Sequence, residues 1–110
     1  MRLVQSRCYD SGSHVQYFEL YSDALLKYHE GYPLIVAVED RGSEGTLSFL
    51  YSSYISGSGR YPGGYKCRLF LLGSSGGETT GQVLRRYCSR IGVRWPLEVE
   101  ANETHQVFDL

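Results

Sequence analysis

Residues 80–91 read TGQVLRRYCSRI, and this stretch decides the architecture. At about 100° per residue, Val83, Leu84, Tyr87, Cys88 and Ile91 fall within an arc of about 140°, while Arg85, Arg86, Ser89 and Arg90 fill the opposite arc. The spacing predicts an amphipathic helix from Thr80 to Ile91 that lays one stripe on an apolar surface. Thr79 or Thr80 supplies the N-cap and Gly92 the C-terminal stop. Gly81 falls in the first turn, where its helix penalty of about 1 kcal/mol is partly avoided.

Outward from this helix the chain reads mostly as strand. Upstream, Tyr65 to Leu72 alternates basic and apolar residues before running into LFLL, and Thr46 to Ile55 is a long strand with Leu47, Phe49, Tyr51 and Ile55 on one face. Leu34 to Val38 is continuously apolar, as a central strand covered on both faces would be. Between these two, EDRGSEG at 39–45 is a polar turn. Leu3 to Tyr9 and His14 to Tyr21 make a hairpin about the turn Asp10 to Ser13, with Val15, Tyr17 and Tyr21 sharing a face. A short helix, Ala24 to Glu30, follows a Ser22-Asp23 cap, buries Leu25, Leu26 and Tyr28, and ends at Gly31. Downstream, Val93 to Glu100 turns Val93, Trp95, Leu97 and Val99 inward, and Pro96 marks it as an edge strand because it has no backbone donor. Gln106 to Leu110 closes the series as a last short strand.

The expected fold is therefore α+β: a mostly antiparallel sheet of about six to seven strands with two helices, the second packing its stripe on one sheet face. A β-sandwich with short connecting helices is the alternative. A chain of 110 residues makes one domain. The start, MRLVQSRCYDSG, has no apolar run of signal-peptide length, and the longest apolar stretch is far below the roughly 20 residues that span a bilayer. Three scattered cysteines, Cys8, Cys67 and Cys88, fit neither a disulfide framework nor a paired metal motif. A cytoplasmic chain with reduced thiols, no membrane contact and no cofactor is the expectation.

Two features of composition stand out. The net charge of -1 conceals segregation, because residues 60–95 carry seven basic side chains against one acid, Glu78, while the segments on either side are acidic. The basic set is Arg60, Lys66, Arg68, Arg85, Arg86, Arg90 and Arg94, and arginine favours bidentate contact with carboxylates or phosphates. Either this segment lies beside the acidic ends and is neutralised internally, or it faces a partner. The second feature is YSSYISGSGRYPGGY at 51–65, where tyrosines alternate with Ser and Gly around a single arginine. Recognition loops use this make-up, since rigid rings give contact area at low entropy cost and small residues adapt. The competing reading places Tyr51 and Tyr65 in the core and leaves an ordinary hairpin tip.

The other constellations are weaker. LFLLGSSGGETTGQV at 69–83 has the layout of a phosphate loop, but Glu78 stands where a Walker motif needs lysine, and a carboxylate there repels phosphate. The plain reading is a strand-to-helix connection in which Glu78 and Thr79 complement the helix dipole and cap. His14, His29 and His105 lie at turns or a helix end, with no spacing that requires acid–base chemistry or metal binding. Cys88 lies on the apolar stripe, as a structural thiol does.

These observations point to a non-enzymatic binding module, such as a small inhibitor, an adaptor or a surface domain of an assembly. It would dock an acidic protein through Tyr54, Arg60 and Tyr61 of the tip and through Arg85, Arg86, Arg90 and Arg94. RNA or single-stranded DNA binding by the same arginines is the alternative, weakened by the acidic flanks and the lack of a recognisable signature. A small hydrolase or nuclease using His and carboxylates is the third reading, and the oligomeric state is open.

Overall fold

Alternating side chains on β-forming residues build the sheet, and the apolar stripe at 80–91 closes one face of it. The computed structural model describes residues 2–6, 14–52, 60–61, 65–66 and 69–97. In chain order these form β1 (Arg2–Ser6), β2 (Val15–Tyr21), α1 (Asp23–Tyr28), β3 (Leu34–Asp40), a 3-10 turn at Gly42–Glu44 and β4 (Thr46–Ser52). They continue as β5 (Arg60–Tyr61), β6 (Tyr65–Lys66), β7 (Leu69–Gly73) and α2 (Thr80–Ile91). The fold is α+β: the described residues form an antiparallel sheet of five strands in the order β1-β2-β3-β4-β7, a separate β5-β6 pair and two α-helices.

β3 occupies the centre of the sheet and is buried from Leu34 to Ala37, as its unbroken apolar run predicts. Registers such as Phe18↔Val36 and Val36↔Leu50 place one set of side chains under α2. There Phe18, Leu20, Leu34, Val36 and Leu50 meet Val83, Leu84, Tyr87 and Cys88 of the helix. Leu25 of α1 and Leu97 complete this core. On the opposite face Tyr17, Ile35 and Ala37 form a smaller cluster with Val15, Phe49 and Tyr51 packed against it. The face of β4 predicted to bear its large apolar residues is thus the one turned away from α2. Below the helix stand Ser48, Leu50 and Ser52, all buried. Ser48 fits there because its Oγ hydrogen-bonds Thr80 Oγ1 at the start of α2, which satisfies two polar atoms that would otherwise be buried alone.

Both ends of α2 are closed as its sequence implies. Thr79 Oγ1 accepts a hydrogen bond from the Gln82 amide at 3.1 Å, and Gln82 Oε1 accepts one from the Thr79 amide at 2.8 Å, a reciprocal capping box. At the other end Gly92 takes the left-handed conformation, φ 76°, and the Val93 amide donates to the Cys88 carbonyl at 2.8 Å. We expect Thr79→Ala to lower stability by about 1 kcal/mol in urea unfolding, with Thr79→Ser close to wild type because serine caps at least as well. An alanine variant as stable as the parent would show that the box contributes nothing.

Several predicted elements change in the structure. Among the described residues five strands share the sheet, rather than the six to seven anticipated, while β5 and β6 pair separately over two residues each. The single strand predicted over 65–72 is divided between those two sheets, with Gly73 closing β7 against the ring of Phe49, where an added Cβ would lie 3.3 Å from Cδ1. No second sheet faces the first among the described residues, so the β-sandwich alternative gains no support. Residues 93–97, read as the start of an edge strand, have no ladder partner and form a bend containing Pro96. Their inward side chains nevertheless pack as predicted, with Val93, Trp95 and Leu97 against the main core. The first helix is shorter than predicted and buries Leu25 alone, leaving Tyr28 at 53% exposure, and Ser22 makes no side-chain cap. Residues 98–100 and the strand predicted at 106–110 lie outside the described residues.

Candidate functional site

The buried stripe fixes which way α2 faces, and therefore where its arginines stand. Arg85, Arg86 and Arg90 are all exposed, as is Arg94 just beyond the helix. With Gln82 and Ser89, the three helical arginines line a shallow concavity of about 410 Å³ on the outer face.

They are not equivalent. Arg86 reaches back over the connection between β7 and α2, where its Nε donates to Glu78 Oε2 at 3.0 Å and its Nη2 to Glu78 Oε1 at 2.9 Å. The same Nη2 donates to the Gly73 carbonyl at 2.8 Å. Glu78 also accepts from the Ser75 amide at 3.2 Å. The hydrogen bond from Arg86 is the main reason the Glu78 carboxyl is held below its usual pKa. The loop with a phosphate-binding layout is thus folded around its own carboxylate and clamped to the helix by a bidentate arginine. Arg86, one of the expected partner contacts, is thus engaged within the fold itself. By contrast, Arg85, Arg90 and Arg94 have no carboxylate within ion-pair distance among the described residues. Internal neutralisation of the basic segment therefore takes up Arg86 alone among the described arginines of 85–94.

A second concavity adjoins the first. The turn after α1, the start of β7 and the last turn of α2 enclose a groove of about 380 Å³. Tyr28, His29, Leu69, Leu71, Tyr87 and Ile91 form its walls, and exposed Glu30 and Arg90 also line it. Arg90 is thus common to both concavities. In the groove Tyr87 Oη and His29 Nε2 share a hydrogen bond of 3.0 Å, the two rings stack at 10° with centroids 6.0 Å apart, and Tyr28 meets His29 edge-on. Burial lowers the His29 pKa and raises that of Tyr87 to about 12, so both groups are neutral near pH 7. His29 stands at the C-terminal end of α1, as its sequence position suggests, but half-buried and neutral rather than as the cation a helix C-terminus favours. Glu30 beside it has φ 56°, a left-handed conformation that costs a non-glycine residue about 1 kcal/mol or more.

The sign of the His29 effect follows from linkage. Its folded pKa lies below the ordinary 6.5, so the unfolded chain binds more protons as pH falls through that region. The stability that neutral His29 supports is present above about pH 6.5 and is lost as pH falls toward the folded value. Urea unfolding at pH 7.5 and 5.5 is expected to show a loss at the lower pH that His29→Gln diminishes. An equal loss in both proteins would assign it to other groups.

Of the other residues expected at a site, Arg60 and Tyr61 form β5, whose side chains lie outside the described set, and Tyr54 lies outside the described residues altogether. Cys88 is fully buried, and burial pushes its thiol pKa up to about 11, consistent with a packing role. Cys8, Cys67 and His105 lie outside the described residues, and His14 is exposed. Among the described residues no group of three or more His, Cys, Asp or Glu side chains is placed to hold a metal ion, and no helix is long and apolar enough to cross a membrane. Sequence reasoning missed the groove, because its walls come from three separated segments. The one available signal was Tyr87, a hydroxyl on an apolar stripe that needs a hydrogen-bond partner once buried.

Comparison with protein-family models, with curated proteins and with solved structures finds no match to this chain. A functional reading therefore rests on the α+β scaffold and the two adjoining concavities.

Proposed function

We propose that this protein is a non-enzymatic binding module, such as a small inhibitor, an adaptor or a surface domain of an assembly, that docks an acidic protein partner through the outer face of α2. The observation that carries this reading is the pair Arg85 and Arg90. Both are exposed on a helix held by its buried stripe, and neither has a carboxylate within ion-pair distance among the described residues. Cations on a packed helix need no backbone ordering on binding and steer an oppositely charged surface. Arg94 extends this face, and Tyr54, Arg60 and Tyr61 remain the proposed second contact within residues 51–65. Few uncompensated cations on one short helix suit a carboxylate-bearing protein better than a polyphosphate strand, whose binders commonly neutralise six to ten phosphates, about one cation each.

The test is to isolate partners from the native host with the full chain as bait, then to compare the wild type with the double variant Arg85→Glu/Arg90→Glu against the captured protein. Tight retention of the wild type on single-stranded DNA at physiological salt, with loss of orders of magnitude as salt rises, would move the assignment to nucleic acid instead.

A further inference from the structure

Two of the three large apolar side chains exposed among the described residues, Tyr28 at 53% and Leu69 at 61%, line the groove beside the arginine face. Exposed apolar side chains gathered in one concavity, with a few polar groups among them, are the usual composition of a recognition site. At about 380 Å³ the groove lies at the small end of ligand-binding cavities, a size for one side chain and its flanking backbone. Its charges are arranged unequally. Arg90, from α2, is the cation and has no carboxylate within ion-pair distance among the described residues. Burial keeps His29 neutral, so it adds no second cation, and Glu30, from the turn after α1, repels an anion on its own side. One carboxylate is thus accommodated, on the α2 side.

We infer that the groove receives an aromatic or leucine-sized side chain of the acidic partner standing next to an Asp or Glu, the apolar group lodging between Tyr28, Leu69, Leu71 and Tyr87 and the carboxylate binding Arg90. This rests on the arginine-face reading above and adds what the partner's contact segment must contain. Because Arg90 lines both concavities, a segment crossing the groove places its carboxylate where the arginine face begins. The apolar residue supplies burial, and the charge-assisted hydrogen bond to a guanidinium sets direction along the segment.

The test is a nitrogen-15 NMR titration of the full chain with a blocked peptide bearing one Phe-Asp pair in a Gly/Ser background. Amide shifts are expected at residues 28–30, 69–71 and 87–91. Replacing the peptide's Phe by Ala should weaken binding about tenfold or more, and replacing its Asp by Asn about fivefold or more. Arg90→Gln should abolish the Asp-over-Asn preference and leave the Phe-over-Ala preference intact. Equal binding of the Phe-Asp and Ala-Asp peptides overturns the inference. Shifts confined to Gln82, Arg85 and Ser89 overturn it too, while leaving the arginine face standing. Conversely, groove shifts with this peptide alongside normal binding of the captured protein by Arg85→Glu would remove the face reading alone. A concentration-dependent dimer whose dissociation shifts the groove amides would assign the groove to a second copy of the chain.

Discussion

Leu84→Ala is expected to destabilise the protein by about 2–5 kcal/mol, a large effect for a single truncation on α2. Leu84 is wholly buried in the core shared by the helix and the sheet, among Val83, Val36 and Leu50, each also without exposed surface. Truncation removes the transfer free energy of three carbon atoms and leaves a cavity that neighbours from different elements cannot close together. A domain of this size has only about 5–15 kcal/mol to lose, so the variant should unfold at clearly lower urea and at a Tm lower by roughly 10–20 °C. Ser89→Ala, one turn on but exposed, should stay within about 0.5 kcal/mol of wild type. If Leu84→Ala cost less than about 1 kcal/mol, α2 would not be docked on the sheet in the way described.

The second large effect concerns binding. Reversing Arg85 and Arg90 together should lower affinity for the acidic partner by about a hundredfold or more. Each lost charge-assisted contact is worth about 1.5–3 kcal/mol, and each new carboxylate adds repulsion. The association rate should fall, and the gap from wild type should shrink as salt rises, because exposed charges are screened within about 10 Å at 0.1 M. Folding should be unchanged, since neither side chain has an ion-pair partner among the described residues. Arg86→Glu is the informative contrast. It sets two carboxylates face to face at Glu78 and removes the hydrogen bond to the Gly73 carbonyl, so it should lower stability. Normal partner binding by the Arg85/Arg90 double variant would remove α2 as the docking surface.

The contrast among these arginines also shows how far the sequence is legible. Arg85, Arg86 and Arg90 are chemically alike and share one helical arc, so nothing in their spacing separates scaffold from surface. What separates them is Glu78, eight residues before Arg86 and brought under its guanidinium by the turn that β7 and α2 impose on the connection. The strand predicted over 65–72 fails for a related reason. Alternation reports which residues face alike, but it does not name the neighbouring strand, so one alternating run was divided between two partners. Residues 93–97 kept the predicted inward side chains without becoming a strand, because burial needs only an apolar face whereas a ladder needs a partner for the backbone.

By itself the sequence determined the elements whose stabilising interactions are local or periodic. The amphipathic helix at 80–91, its threonine cap, its glycine stop and the buried central strand all follow from side-chain spacing and from turn chemistry within a few residues. Tertiary structure alone decided which sheet face α2 covers, why Ser48 stands beneath its first turn, and which arginines have no ion-pair partner among the described residues. It also brought His29 to Tyr87, 58 residues apart, and so made the groove that Arg90 joins to the arginine face. Contacts of that range depend on how the strands pair, and strand pairing depends on the whole packed core rather than on any short stretch of chain.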